Sequence, residues 1–395
     1  MHRRTKQNFK SYTAVGLFSG IGGMEVGFHR AGHRTTLMCD VDSAAQAVLA
    51  QHFSDVFLVS DVRELRTLGG AQVICAGFPC QDLSQAGKTA GINGSRSSVI
   101  AELFRLLDCS ETPEWIFLEN VPFMLHLGRG AAMQYLTGEF EKRGYTWAYR
   151  IVDSRGFGLP QRRRRVFILA SKTNDPRPPL LNQDCGRPVS EAECNAFGFY
   201  WTEGNTGLGW AEDAVPTLKG GSGLGIPSPP AIWIRNRGIF LPDIRDAERL
   251  QGFDSNWTLT TSPTGNGHLG VRWKLVGNAI SVPVAEWVGN RLFTKEAYDN
   301  TGERVFSEGD RWPNAAWGER GRRFEVERTA WPIPESKPGL LEFLRYPLIP
   351  LSANATAGFL SRARASRLKF VNGFLKEVAV HLEAMQSRKP KHAGN

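Results

Sequence analysis

Through the first 170 residues, short apolar runs alternate with stretches whose apolar residues recur every three to four positions. The runs at 13–18, 35–39, 73–76, 115–118, 149–152 and 166–170 predict strands, and the stretches 24–31, 43–52, 99–107 and 131–143 predict helices. Such alternation predicts an α/β domain, a doubly wound and mostly parallel sheet with helices on both faces. The periodicity fails after Pro176. Residues 172–243 are rich in Gly, Pro, Trp and Asn, including Lys219-Gly220-Gly221-Ser222-Gly223, and predict a smaller loop-rich domain. Helical spacing returns at 244–251 and 282–293, so 244–293 is expected to rejoin the domain of residues 1–171. Residues 294–395 read as an extension. Its segment 357–385 carries Phe359, Leu360, Val371, Leu375, Val378, Leu382 and Met385 at helical spacing, which predicts one long amphipathic helix.

At 395 residues the chain is long enough to bury a core without disulfides. Its six cysteines contain no C-x-x-C pair, which disfavours a metal site and a disulfide framework and fits a reducing compartment. No stretch approaches the length of a membrane span, so a cytoplasmic protein without a membrane partner is expected. The formal charge of +9, from 48 Lys+Arg against 39 Asp+Glu, suits a polyanionic partner. Basic residues cluster at Arg162–Arg165 and again at Arg362, Arg364, Arg367 and Lys369.

The chemistry-bearing positions fall at predicted strand ends. Cys80 lies in Gly77-Phe78-Pro79-Cys80-Gln81, just past a predicted strand, where α/β proteins place reactive groups. Proline fixes the backbone before the thiol, although a lone strand-end cysteine also fits a small buried hydrophobe. The first strand runs into Phe18-Ser19-Gly20-Ile21-Gly22-Gly23, a turn that lets backbone approach a ligand closely. Asp40 and Asp61 end the next two apolar runs, where acids can meet a ribose and an adenine edge. Glu119 ends the strand after that of Cys80, and Arg163 and Arg165, two apart on a strand, are expected to share a face.

In this order the motifs resemble those of the cytosine-C5 DNA methyltransferases of bacterial restriction-modification systems, over roughly residues 12–293. The resemblance rests on Phe18-Ser19-Gly20-Ile21-Gly22-Gly23, Asp40-Val41-Asp42, Ser60-Asp61-Val62, Gly77-Phe78-Pro79-Cys80-Gln81, Glu119-Asn120-Val121, Gln161-x-Arg163-x-Arg165, Arg249-Leu250-Gln251-Gly252-Phe253 and Gly277-Asn278-Ala279. Phe78 departs from the commonest pattern, which has a second proline there.

The resemblance implies methyl transfer from S-adenosylmethionine to C5 of a flipped-out cytosine in a short duplex DNA site, leaving S-adenosylhomocysteine and using no metal. It implies Cys80 as nucleophile, with Glu119, Arg163 and Arg165 completing the catalytic set. Phe18, Gly20, Gly22, Gly23, Asp40, Asp61 and Asn278 are implied to hold the cofactor. Gln81, Ser84 and Arg162, with Lys219, Arg235 and Arg237 of a target-recognition domain at 172–243, are implied to contact DNA. A monomer acting on double-stranded DNA, paired in function with a restriction endonuclease, is the expected context. An RNA cytosine methyltransferase of the same fold is a rival, disfavoured by the sizeable insert before Arg249. A non-catalytic DNA-binding regulator is another, disfavoured by the intact Cys80, Glu119 and Arg163. The basic C-terminal segment either widens the DNA footprint or packs on the catalytic domain, and its apolar stripe favours packing.

Overall fold

The computed structural model describes residues 10–78, 99–109, 113–188, 194–203, 205, 207–221, 228–260, 268–334 and 338–387. The chain divides into two compact units, one spanning 1–156, 164–188 and 280–334, the other 157–163, 189–279 and 335–395.

In the first unit, β1 (Thr13–Leu17), β2 (Arg34–Cys39), β3 (Phe57–Val59), β4 (Val73–Gly77) and β5 (Trp115–Asn120) run parallel in the order β5-β4-β1-β2-β3. Strand order reverses between β1 and β4, and the crevice at the carboxyl ends of such a pair is where open α/β sheets bind ligands. β6 (Thr146–Asp153) and β8 (Arg164–Ser171) continue the sheet past β5, with β8 antiparallel to both neighbours. A parallel pair needs a long crossover, and the short 154–163 connection supplies none, so this half of the sheet is antiparallel.

Alternating side chains divide the sheet into two buried faces. Ile74, Ala76, Ile116 and Leu118 pack with the helices Val99–Cys109 and Ala131–Lys142 in one core. On the opposite face Phe117 stacks against Phe28 of the helix Gly23–Arg30. That helix packs on the helix Val282–Arg291 at Gly27, where a methyl group would lie 2.6 Å from Ala285 Cβ and 2.7 Å from the Val282 carbonyl oxygen. The approach admits only glycine.

The expected extension is divided between the units. Its first part supplies β14 (Glu303–Val305), β15 (Ala315–Glu319) and β16 (Arg322–Val326), which extend the first unit's sheet through a β15–β6 pairing. The Tyr149 hydroxyl donates to the Pro313 carbonyl at 2.8 Å, and the buried Arg150 guanidinium donates to the Thr329 carbonyl at 2.8 Å and to Asp184 at 2.7 Å. Residues 294–334 are thus part of the first unit's sheet and its packing.

The second unit holds a parallel pair, β7 (Gln161–Arg162) with β11 (Val215–Pro216). It also holds a five-stranded sheet, β10 (Ala211–Glu212), β9 (Ala196–Phe199), β12 (Ala231–Ile234), β13 (Gly238–Leu241) and β17 (Ile349–Pro350), in that order. Helices cover both of its faces. Ile232 and Ile234 pack with the helices Ile244–Leu250 and Leu269–Asn278, while Ala231 and Trp233 pack with the helices Ala353–Ala365 and Phe374–Ser387. Two expectations change here. Residues 244–279 belong to this second unit, and the single long helix expected over 357–385 is two helices. The break at Ser366 has a local cause: its Oγ donates to the Ala363 carbonyl at 2.8 Å and accepts from the Leu368 amide at 3.2 Å, and Gly373 turns with φ +84° before the second helix. Leu368, Phe370 and Val371, between the helices, still pack against the same core.

Overpacking the Gly27 contact should be costly. Gly27→Val is expected to lower the stability of the first unit by roughly 1–3 kcal/mol, read as a fall in the urea midpoint at unchanged slope, and an unchanged midpoint would contradict the close approach.

Candidate active site

Two adjacent parallel strands build the site. β4 and β5 pair in the register Gly77 with Glu119, so the carboxylate stands beside the last residue of β4. A methyl group on Gly77 would lie 3.7 Å from Glu119 Oε2 and 3.7 Å from Met24 Cε. One residue on, the buried Asn120 Nδ2 donates to the Phe78 carbonyl at 2.9 Å, and its Oδ1 accepts from the Val121 amide at 2.8 Å. The side-chain amide therefore fixes the exit of β4, two residues before Cys80. Cys80, with Gln81 and Ser84, lies outside the described residues.

β8 pairs antiparallel with β5, Phe167 opposite Glu119. Arg165 is two residues from Phe167 and so on the same face, and its Nε meets Glu119 Oε1 at 2.9 Å. Both side chains are largely buried, at 13% and 14% exposure, so this charge pair is less screened than a surface bridge.

Arg163 and Arg165 do not lie together as their spacing predicts, because Arg163 falls between β7 and β8 rather than within one strand. Its guanidinium is 2% exposed and donates to backbone carbonyls of the second unit, those of Leu218 at 3.1 Å, Gly277 at 3.4 Å and Ala279 at 2.5 Å. Gln161 beside it donates to the Leu250 carbonyl at 2.7 Å and accepts from the Leu218 amide at 3.0 Å, and Gln251 donates to the Val276 carbonyl at 2.8 Å. Three sequence motifs thereby interlock around backbone groups. The loop carrying Lys219 runs against this cluster so closely that a methyl group at Gly277 would sit 2.1 Å from the Lys219 carbonyl carbon, and one at Gly220 would sit 2.3 Å from Asn278 Oδ1. Asn278, expected at the cofactor, packs its amide against Gly220 within the second unit.

The glycine turn after β1 meets its expected acid directly: Asp40 Oδ2 accepts from the Gly20 amide at 2.7 Å, while Oδ1 accepts from the Asp42 amide at 2.9 Å. Phe18, Gly20 and Gly22 all take positive φ, and a methyl group at Gly20 would meet no atom within 4 Å, so the turn borders open space. Gly23 begins the helix beneath it. Asp61 accepts from Arg63, whose guanidinium and amide hold its carboxyl below the usual range.

Sequence reasoning missed Glu25. It lies under the glycine turn, 2% exposed, with its Oε1 so close to β1 that a methyl group at Gly16 would be 1.9 Å away. Neither its Oε2 nor the nearby buried Ser19 Oγ completes a hydrogen bond. Burial, and secondarily Asp40, push its carboxyl up to about 7, against its own helix amide, which lowers it. Helical periodicity marks position 25 as inward-facing, and a carboxylate there was the available signal. The buried core thiols are inert by contrast. Burial raises Cys39 to about 12 and Cys75 well above the ordinary thiol range.

The residues expected at DNA occupy varied settings. Lys219 pairs with Glu203 and lies 3.7 Å from the Tyr200 ring centre. Arg235 stacks over Phe197 and Trp233 at 5.2 and 5.1 Å. Arg237 is exposed in the turn between β12 and β13, and Arg162 is half-buried on β7.

A family model for C-5 cytosine-specific DNA methylases matches residues 12–193. Type II methyltransferase M2.BsuMI of Bacillus subtilis (strain 168) is 47% identical over 378 residues, covering 92% of this chain and 96% of that relative. Type II methyltransferase M.MspI of a Moraxella species is 25% identical over 299 residues, covering 70% of this chain and 69% of the relative. Among solved structures, a DNMT2 mutant from Spodoptera frugiperda is similar in fold, with a TM-score of 0.53 at 16% identity over 72% of this chain and 100% of the other.

Two outcomes follow from this geometry. Arg163→Ala should unfold at lower urea, losing roughly 3 kcal/mol because buried carbonyls lose a charged donor, whereas Arg165→Ala should lose less, because the Glu119 carboxylate it leaves unpaired keeps 14% of its surface in water. Equal losses in the two variants would contradict the division. A carboxyl at about 4.5 in the unfolded chain and about 7 when folded adds stability that is complete below pH 4.5 and lost as pH rises through 7. Glu25→Gln should therefore gain on the parent protein in cofactor-free melting curves between pH 5 and pH 8. A melting difference that stays constant with pH would count against the buried acid.

Proposed function

The chain belongs to the C-5 cytosine-specific DNA methylase family, and from that premise we propose that Cys80, Glu119 and Arg165 carry out methyl transfer to carbon 5 of a cytosine. It is a DNA (cytosine-5-)-methyltransferase with a Rossmann-like methyltransferase fold. The observation that carries the residue assignment is the Glu119–Arg165 pair, placed by strand register beside the residue that closes β4.

Carbon 5 of cytosine is a weak nucleophile. Addition of the Cys80 thiolate at C6 breaks the ring's conjugation and passes electron density to C5, and once C5 carries the methyl group, loss of the C5 proton to a base or water breaks the sulfur–C6 bond and releases the thiolate. Glu119 hydrogen-bonds N3 and the exocyclic amine and so stabilises the charge that develops as sulfur adds. Arg165 orients Glu119 through their ion pair. We assign Arg163 to the buried cluster that seats the loop at 218–220, a structural part in place of the catalytic one expected from its motif. A cytosine inside duplex DNA cannot reach these groups, so the base is flipped out, costing a few kcal/mol in stacking and pairing.

S-adenosylmethionine supplies the methyl group as a positively charged sulfonium. The residues present suit it. The positive-φ turn at Phe18, Gly20 and Gly22, with Gly23 opening the helix after it, would take its methionine end, Asp40 beside Gly20 its ribose, and Asp61 its adenine. The partly unsatisfied Glu25 carboxyl and Ser19 hydroxyl give a cationic ligand polar groups to face. Double-stranded DNA is the substrate we assign, with Arg235 and Arg237 at the recognition turn. We assign it the protection of that DNA from a restriction endonuclease, acting as a monomer in the cytoplasm; the type II methyltransferase relatives support the restriction-modification setting.

Cys80→Ser should bind cofactor and DNA within about twofold of the parent protein and transfer methyl at least 10³-fold more slowly, measured with tritiated cofactor on phage DNA. Normal turnover by that variant would sink the nucleophile assignment.

A further inference from the structure

We propose that the bend between the two C-terminal helices is a second DNA-contacting surface, which grips duplex phosphates. The proposal rests on the methyltransferase reading for its substrate, but on different residues. Residues 357–376 contain Arg362, Arg364, Arg367, Lys369 and Lys376 and no Asp or Glu. Arg362 is a structural tie, donating to the Glu203 carbonyl at 3.1 Å and the Trp201 carbonyl at 2.8 Å. Arg364, Arg367, Lys369 and Lys376 are exposed, and among the described residues none has an acidic partner.

The acid that follows is turned away from these cations. Glu377 Oε2 accepts from Trp233 Nε1 at 2.9 Å and from the Asn236 amide at 2.8 Å. Those two bonds also fasten the start of the last helix to the β12–β13 turn, whose flanking residues are Arg235 and Arg237. Both faces of the second unit's sheet are covered by helices, so the bend between the last two helices lies at the surface rather than on the sheet. Uncompensated exposed cations in such number suit a phosphate backbone, where each contact releases a counterion and steepens the salt dependence. The contact is independent of base sequence and fixes position on the duplex.

The test uses the full chain and a variant carrying Arg364→Gln, Arg367→Gln, Lys369→Gln and Lys376→Gln, all exposed positions without a packing role. Cofactor affinity and melting temperature should match the parent protein. Binding to a mixed-sequence 40-base-pair DNA duplex, followed by anisotropy from about 50 to 200 mM salt, should show a log–log slope shallower by about 3–4 in the variant. Affinity near 100 mM salt should fall at least about tenfold. Equal slopes would overturn the proposal, as would a slope difference seen with duplex RNA but not DNA. Failure of the parent protein to methylate any DNA would instead strike the enzymatic reading, and the slope comparison would still decide the surface.

Discussion

The active centre depends on one strand register, Gly77 of β4 opposite Glu119 of β5. Parallel pairing sets it, and the Asn120 amide bound to the Phe78 carbonyl locks it just beyond the sheet. A slip of one residue would turn Glu119 to the opposite face, into the core that holds Ile116 and Leu118. The hydrophobic faces of β5 thus hold the carboxylate in place, since only one register buries both sets of apolar side chains. Antiparallel β8 then brings Arg165 to the same face, and the pair is complete before any substrate arrives.

The second constraint is a cluster of buried polar side chains bonded to main-chain atoms. Gln161, Arg163 and Gln251 satisfy the carbonyls and amides of 218, 250 and 276–279, groups that would otherwise be buried without partners. Arg163 suits this place because a planar guanidinium can reach several carbonyls at once. Arg165, two residues later, has a carboxylate as its partner. One motif therefore contains two arginines with different work, and only their surroundings separate them.

Most of the catalytic half was legible in the chain. Fully buried parallel strands read as apolar runs, and the positions of Gly20, Asp40, Glu119 and Asn120 at their ends follow from that pattern. The antiparallel strands at 303–326 were not legible. All three are short, β14 and β16 are largely exposed or half-buried, and β16 mixes charged and apolar residues, so the period-2 signal is weak. The break at Ser366 was hidden as well, because Leu368, Phe370 and Val371 keep an apolar spacing while serving a loop. Glu25 escaped because its significance comes from Gly16 and Ser19, close in space to a helix whose sequence alone looks ordinary. The structure also joins what the sequence kept apart, the β12–β13 turn and the start of the last helix, through Glu377.

The account stands most directly on where a cytosine becomes bonded to the protein. Duplex DNA carrying 5-fluorocytosine at the target position, incubated with cofactor and digested, should yield a covalent nucleotide adduct on the peptide containing Cys80, since fluorine blocks loss of the C5 substituent. The adduct should form much more slowly in Glu119→Gln and Arg165→Ala. An adduct on a different cysteine, or bound DNA with no adduct at all, would contradict the nucleophile and the register-built site together.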